Sequence, residues 1–284
     1  MILTHNIDPI IFSIGSINFY WYGAMYAVSF LVIDYLMRTQ YFLRSIKITK
    51  KEIDSLLIIL IVAVIVGGRL GYVLFYNFDY YLSQPIKILY IWEGGMSFHG
   101  ALLMIIFSLF YFSTKSKIQF LMLSDYIVLF VPIGLFLGRI GNFINSELYG
   151  IPTTSTWGII FPMVDDLPRH PSMLYEAFFE GVVLYSVIIY FYRKKLIQGN
   201  LTAIFLFYYG IFRFFIEFVR VPDAHIGYLW DDWFTMGQLL SIPMIIAGIL
   251  IFIVYRERTY IEKTTTFGNQ KRNTLRYFTF DSIV

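Results

Sequence analysis

Ile53-Asp54-Ser55-Leu56-Leu57-Ile58-Ile59-Leu60-Ile61-Val62-Ala63-Val64-Ile65-Val66-Gly67-Gly68-Arg69-Leu70-Gly71-Tyr72-Val73-Leu74-Phe75-Tyr76 is an apolar run long enough to cross a bilayer, with an arginine near its far end. Working outward, six more runs of similar length follow the same rule. Residues 9–33 and 233–255 carry no charge, and residues 94–114 carry only His99. Residues 120–140, 173–192 and 201–219 each hold an ionisable residue in an apolar setting. At about 20 residues per crossing, seven helices are expected, the first beginning near Phe19. The fold class is an all-α polytopic membrane protein with about seven transmembrane helices.

Composition agrees. Of 284 residues 58% are hydrophobic and only 14% charged, more apolar surface than a soluble domain could bury. Aromatics make up 20%, which suits long membrane–water boundaries. A net charge of +3 with no basic tract gives no reason to expect nucleic acid. With no cysteine in the chain, disulfides, thiolate metal sites and an enzyme-borne thiol nucleophile are excluded. No cluster of His, Asp or Glu has metal-ligand spacing, so neither metal nor cofactor is expected.

Basic residues set the orientation. Arg38, Arg44, Lys47, Lys50 and Lys51 follow the first span, Lys115 and Lys117 the third, Arg193, Lys194 and Lys195 the fifth, and six more the seventh. The opposite loops hold only Lys87, Arg169 and Arg220 against seven acidic residues. The positive-inside rule then puts the N-terminus outside and the C-terminus inside. No Lys or Arg precedes the first span and no small-residue cleavage site follows, so no cleaved signal peptide is expected. Residues 1–255 form one membrane domain with a small extracytoplasmic head at about 142–172, where Gly, Pro, Thr and acidic residues mix. Residues 256–284 form a polar cytoplasmic tail.

Three arginines remain inside spans: Arg69, Arg139 and Arg213. Each costs about 2.5–3.5 kcal/mol at mid-membrane on insertion scales, and all three lie in the outer part of their helices. One alone is as well explained by snorkelling or a structural carboxylate. Three at one depth point to an anion site, and the natural anion there is a lipid phosphate, which a guanidinium holds bidentately. Tyr209, Arg213 and Glu217 fall on one helix face, so an Arg213–Glu217 bridge is expected. Glu176 and Glu180 make a second i, i+4 pair that can partner the arginines. His99 sits in Gly94-Gly95-Met96-Ser97-Phe98-His99-Gly100, where glycines admit a headgroup or another chain. The richest stretch is Gly138-Arg139-Ile140-Gly141-Asn142-Phe143-Ile144-Asn145-Ser146-Glu147-Leu148-Tyr149-Gly150. It reads as the lining of a polar pocket, with glycines where the backbone can turn.

That stretch resembles the signature of the bacterial prolipoprotein diacylglyceryl transferases. Trp21-Tyr22-Gly23, Gly67-Gly68-Arg69-Leu70-Gly71-Tyr72, the glycines around His99, Pro168-Arg169-His170-Pro171-Ser172, and Tyr209-Gly210 through Arg220 with Pro222-Asp223 match family motifs in order, from about residue 8 to residue 255. Ala101 and Ser146 depart from common family glycines. The resemblance implies an enzyme of the bacterial inner membrane, multi-pass, with its active site toward the extracytoplasmic face. It would move the diacylglyceryl group of phosphatidylglycerol to the lipobox cysteine of a preprolipoprotein. Catalytic roles carry over to His99, Arg139, Arg213 and Glu147, and substrate binding to Arg139, Asn142, Gly150, Tyr22, Arg69, Tyr209 and Glu217. The substrate brings the thiol, so an enzyme without cysteine loses nothing. His99 or Glu147 would activate it, and histidine is favoured because it titrates near neutral pH unaided. Two rival readings stay open. A transporter for an anion would also bury arginines, but would need a water path to both faces. An intramembrane serine protease would need Ser97 or Ser172 as nucleophile.

Overall fold

The computed structural model describes residues 2–15, 17–39, 46, 48–194, 199–222 and 227–254. The polar tail, together with Arg44, Lys47, Lys195 and Asp223 of the charge count, lies outside the described residues. Each of the seven apolar runs contains a helix, the first only from Trp21 onward. In chain order the helices are α1 (Trp21–Met37), α2 (Lys50–Phe75), α3 (Phe98–Ser116), α4 (Phe120–Val128), α5 (Val131–Ile144), α6 (Ser172–Arg193), α7 (Asn200–Ile216, prolonged by a 3-10 turn to Val219) and α8 (Met236–Val254). Four of them are long and apolar enough to cross a membrane by themselves: α2, α6, α7 with its 3-10 turn, and α8. A fifth crossing results if α4 and α5, separated by a break with Pro132 just after it, make one broken span. The chain is a membrane protein, and its helices turn apolar residues such as Phe75 and Phe107 outward, 74% and 65% exposed. Alongside the helices, the described residues include short strands that the sequence reading did not anticipate.

The chain divides into two compact units, Ser29–Ile127 and the combination of Met1–Val28 with Val128–Val284. Within the first unit, α2 starts on a reciprocal cap. The Glu52 N–H donates to Thr49 Oγ1 at 3.3 Å and the Thr49 N–H donates to Glu52 Oε2 at 2.7 Å. Further along, Gly67 and Gly71 press α2 onto Gly100 of α3. A Cβ on Gly71 would stand 2.6 Å from Gly100 Cα, and one on Gly67 would stand 2.6 Å from Gly100 O. Small residues four apart let two membrane helices approach this closely. The glycines around His99 therefore admit a helix, which is one of the two occupants their spacing allowed.

In the second unit a small three-stranded sheet forms the head. Its strands are β1 (Leu3–Thr4), β4 (Ile159–Ile160) and β5 (Pro168–Arg169), in the order β1-β4-β5, with β1 parallel to β4 and β5 antiparallel. Strands β2 (Ile10–Ile14) and β3 (Ile17–Tyr20) form a hairpin that feeds directly into α1. Ile159, Phe161 and Met173 make the core of the head, covered by Phe143, Tyr149, Val164 and Leu174. The head thus recruits the N-terminal strand as well as residues 142–172. His5, just after β1, donates its N–H to Ile160 O at 2.8 Å and is buried, 5% exposed, between Phe143 and Phe161. Its Nδ1 lies 3.1 Å from Ser146 Oγ. Burial lowers the His5 pKa below the ordinary histidine value.

Candidate active site

Helix α5 does not stop at its glycines. It runs through Gly138 and Gly141 to Ile144, and the chain turns afterwards at two residues with left-handed backbone, Ser146 (φ 56°) and Leu148 (φ 58°). Ser146 adopts a conformation that glycine adopts without strain, so a glycine would suit this position and the serine holds it at a cost. Gly141 serves packing instead. A Cβ there would stand 2.9 Å from Tyr22 Cδ2, so the missing side chain makes room for the Tyr22 ring. Its hydroxyl is 3.1 Å from that of Tyr26, and Arg139 and Glu147 are its charged neighbours.

The turn after α5 folds Glu147 back onto the helix. Its N–H donates to Asn142 O at 2.9 Å, and its carboxylate accepts from Asn142 Nδ2 at 3.1 Å and Asn145 Nδ2 at 3.3 Å. Asn142 Oδ1 in turn accepts from Arg139 Nη1 at 3.4 Å. A relay Arg139–Asn142–Glu147 results. Glu147 is therefore coupled to Arg139 through an amide.

On its other side Arg139 meets a knot of charge. Glu176 and Glu180 project from α6, both fully buried, and a π-helical turn over Ala177–Val183 holds Glu180 there. Single π turns inside α-helices recur at functional sites. Arg139 Nε is 2.9 Å from Glu176 Oε2, and Arg139 Nη2 is 3.7 Å from Glu180 Oε2. Arg213 pairs with Glu176 and with Glu217, the expected bridge along α7. Arg220 Nη1 donates to Glu217 Oε1 at 3.0 Å, and its Nε lies 3.9 Å from Glu176. Thr235 Oγ1 donates to the other Glu217 oxygen at 2.7 Å. Tyr209 has Glu180, Arg213, Arg139 and Glu176 as charged neighbours. Three arginines and three carboxylates are thus gathered from three segments of one unit.

A family model described as prolipoprotein diacylglyceryl transferase matches residues 9–254. The chain belongs to this family. It is 48% identical over 262 residues to the phosphatidylglycerol–prolipoprotein diacylglyceryl transferase of Pseudoalteromonas atlantica, covering 91% of this chain and 92% of that protein. The protein of the same name from Geobacter sulfurreducens is 45% identical over 89% of this chain and 97% of its own length, and that of Vibrio campbellii 44% identical over 91% and 94%.

The remaining candidates of this transferase occupy different settings. Gly150 is wedged between backbones: its N–H donates to His170 O at 2.8 Å, the Ile151 N–H donates to Val219 O at 3.0 Å, and a Cβ would stand 2.6 Å from His170 Cβ. It fastens the head to the end of α7. Arg69, only 3% exposed, directs Nε to Ile88 O at 2.9 Å and Nη2 to Lys87 O at 2.6 Å and Tyr90 O at 3.1 Å. Its Nη1 meets Gly94 O and Gly95 O, the latter at 3.3 Å. Five carbonyls occupy this guanidinium. His99 lies on the exposed first turn of α3, beside Ser97, whose hydroxyl accepts from the Gly100 N–H at 3.2 Å and caps the helix. Ser172 Oγ donates to Leu148 O at 2.7 Å, and His170 Nδ1 is 3.1 Å from Tyr175 Oη. Both serines weighed as nucleophiles are thus bonded to backbone, which disfavours the protease reading. In the head, Arg169 holds the exposed Asp165 carboxyl below its usual range.

The sequence reading left Arg220 among the loop charges. Its spacing from Glu217 (i, i+3) and Arg213 (i, i+7) was the signal that would have placed it in the cluster. His5 had no such signal, because its partners are far along the chain.

Proposed function

We propose that the chain transfers the diacylglyceryl group of phosphatidylglycerol to the lipobox cysteine thiol of preprolipoproteins, the first step of lipoprotein maturation. The match of the family model across 9–254 carries the reaction. The arginine cluster supports the assignment of residues. The thiol sulfur attacks the glycerol carbon, the carbon–oxygen bond to phosphate breaks, and glycerol phosphate leaves with the bonding pair. Charge collects on that phosphate in the transition state, where prepositioned guanidiniums stabilise it most effectively. Arg139 and Arg213 take this role, sharing their forks with Glu176 and Glu217. Asn142 and Glu147 orient Arg139, and Tyr22 and Tyr209 line the headgroup site. Gly150 acts through backbone packing, and Arg69 braces the loop 87–95. The thiol proton goes to a base, because a free thiol with pKa near ~8.5 is mostly protonated at neutral pH. His99 takes it.

Seven spans with the N-terminus outside suit this chemistry, and a parity argument supports them. Strand β1 is hydrogen-bonded to β4, so residues 3 and 159 lie on one side of the bilayer. An even number of crossings must separate them. With α1, α2 and α3 each crossing once, α4 and α5 must together cross once. Gly150 bridges Arg220, and the two crossings α6 and α7 between them again make an even count. Reporter fusions after Lys51 and Lys117 should read cytoplasmic and fusions near Asp79 and Asp165 external.

The reaction is tested by incubating the purified protein with phosphatidylglycerol and a lipobox peptide. The peptide should gain the mass of one diacylglyceryl group. An unmodified peptide, with protein that is folded and lipid-bound, removes the proposal.

A further inference from the structure

Four buried polar atoms near one point make no hydrogen bond: Arg139 Nε, Glu176 Oε2, and both carboxylate oxygens of Glu180. Arg139 Nε and Glu176 Oε2 are close enough for an ion pair but not aligned for a hydrogen bond. Both glutamates have no exposed surface, and a buried acceptor left unmatched is costly. Three of the four orphaned atoms are acceptors. A ligand completing this spot must therefore bring hydrogen-bond donors, and it must bring them beside a guanidinium suited to phosphate. Glu180 is held there by the π-helical turn, which sets its carboxylate 3.7 Å from Arg139 Nη2.

We infer that Glu180, with the unmatched oxygen of Glu176, reads the hydroxyl groups of the donor lipid's glycerol headgroup and so determines donor specificity. This inference rests on the proposed reaction and on Arg139 holding the phosphate. A vicinal diol esterified to that phosphate places two O–H donors a few bonds from it, within reach of a carboxylate next to the same arginine. No bond is made or broken at this point: the hydroxyls donate, Glu180 accepts. A site built to hydrogen-bond a substrate hydroxyl rejects the analogue lacking it strongly, on the order of 10⁴-fold in favourable cases, because its own polar groups are then left unpaired.

The test compares phosphatidylglycerol with phosphatidylethanol, which keeps the phosphodiester and both acyl chains but has no headgroup hydroxyl. Transfer to the lipobox peptide is measured for each lipid by mass. The wild-type protein should prefer phosphatidylglycerol by at least about 100-fold in kcat/KM. In Glu180→Leu, which removes the acceptor, that ratio should fall at least tenfold, mainly through loss of activity on phosphatidylglycerol. Glu180→Gln keeps one acceptor oxygen and should fall between the two. Equal losses on both lipids in both variants, leaving the ratio unchanged, would mean that Glu180 acts only by holding Arg139, and would overturn the inference. So would a wild-type protein indifferent to the hydroxyls. Absence of transfer from either lipid by the wild-type protein is a different failure, since it removes the proposed reaction itself. If Glu180→Leu does not fold, the Glu180→Gln ratio decides alone, and an unchanged ratio there overturns the inference equally.

Discussion

Arg69 and Arg139 are both arginines placed inside apolar helices, and the protein solves the same electrostatic problem in opposite ways. Arg69 is surrounded by neutral backbone carbonyls of the loop 87–95, five acceptors for five N–H groups, with Tyr81 5.1 Å below its plane. Such a site is complete. It organises a loop and has nothing left to offer a ligand. Arg139 faces two buried carboxylates through contacts that are close but poorly aligned, and an amide at 3.4 Å. Ion pairs of this kind can exchange partners when a phosphate arrives. Placement inside an apolar helix does not separate the two arginines. The chemistry and alignment of their acceptors do.

The largest effect expected cuts across this comparison, because His99 belongs to the same unit as Arg69. His99→Gln should lower transfer by about 10²–10⁴-fold at neutral pH, the usual value of general-base help. Raising the pH toward the thiol's own pKa of about 8.5 should recover part of that, whereas Glu147→Gln should show no recovery. A His99→Gln enzyme equally inactive at every pH, alongside a rescued Glu147→Gln, reverses the two roles.

Next come Arg139→Lys and Arg213→Lys. Each should insert and fold yet lose activity by about 10²–10³-fold, the scale of one lost charge-stabilising donor, since a point charge does not replace a planar fork. Near-normal turnover in Arg139→Lys would show that its loosely aligned ion pairs are structural after all, and the contrast with Arg69 would collapse.

Arg69→Lys sharpens the comparison from the other side. A lysine offers three donors where five carbonyls wait, so the cost falls on stability, about 1–3 kcal/mol for each buried group left unmatched. Turnover per folded molecule should stay within about tenfold of wild type. Thermal unfolding in detergent and active-site-normalised kinetics separate the two quantities; intact stability with lost turnover would sink the assignment of Arg69 as a brace.

The smallest effect belongs to His5. Its folded pKa is lowered by burial, so the unfolded chain binds the proton more readily. Stability linked to His5 is therefore complete above the ordinary histidine value of 6.5 and declines as pH falls below it. The melting temperature of the wild-type protein should drop more between pH 7 and pH 5 than that of His5→Gln, by a few degrees at most. Parallel curves for the two proteins refute the link.

Much of the membrane part was legible because hydrocarbon imposes a one-dimensional rule: apolar runs of fixed length, with charges admitted only for a reason. That rule found each helical run, the three buried arginines and the Arg213–Glu217 pair. It could not assign partners. Whether an arginine meets carbonyls or carboxylates depends on which distant segment arrives beside it, and for Arg69 that segment is a loop with no distinguishing chemistry. Glycines misled for a similar reason. Those at 138 and 141 were read as places to turn, but the helix runs through both, Gly141 makes room for Tyr22, and the turn is carried by Ser146 and Leu148. His5 and β1 were invisible because a two-residue strand has no periodicity to read.

The pairing of β1 with β4 also has a consequence in time. Leu3 is made more than 150 residues ahead of its partner Ile159. At roughly 5–20 residues per second β1 waits on the order of ten to thirty seconds, while α1 to α5 are made behind it. Throughout that interval its backbone amides and the imidazole of His5 have no partner from the head. The head therefore cannot close before α1 to α5 have been made. A ribosome stalled before residue 159 should leave the N-terminal segment open to protease, and one stalled well beyond residue 169 should not.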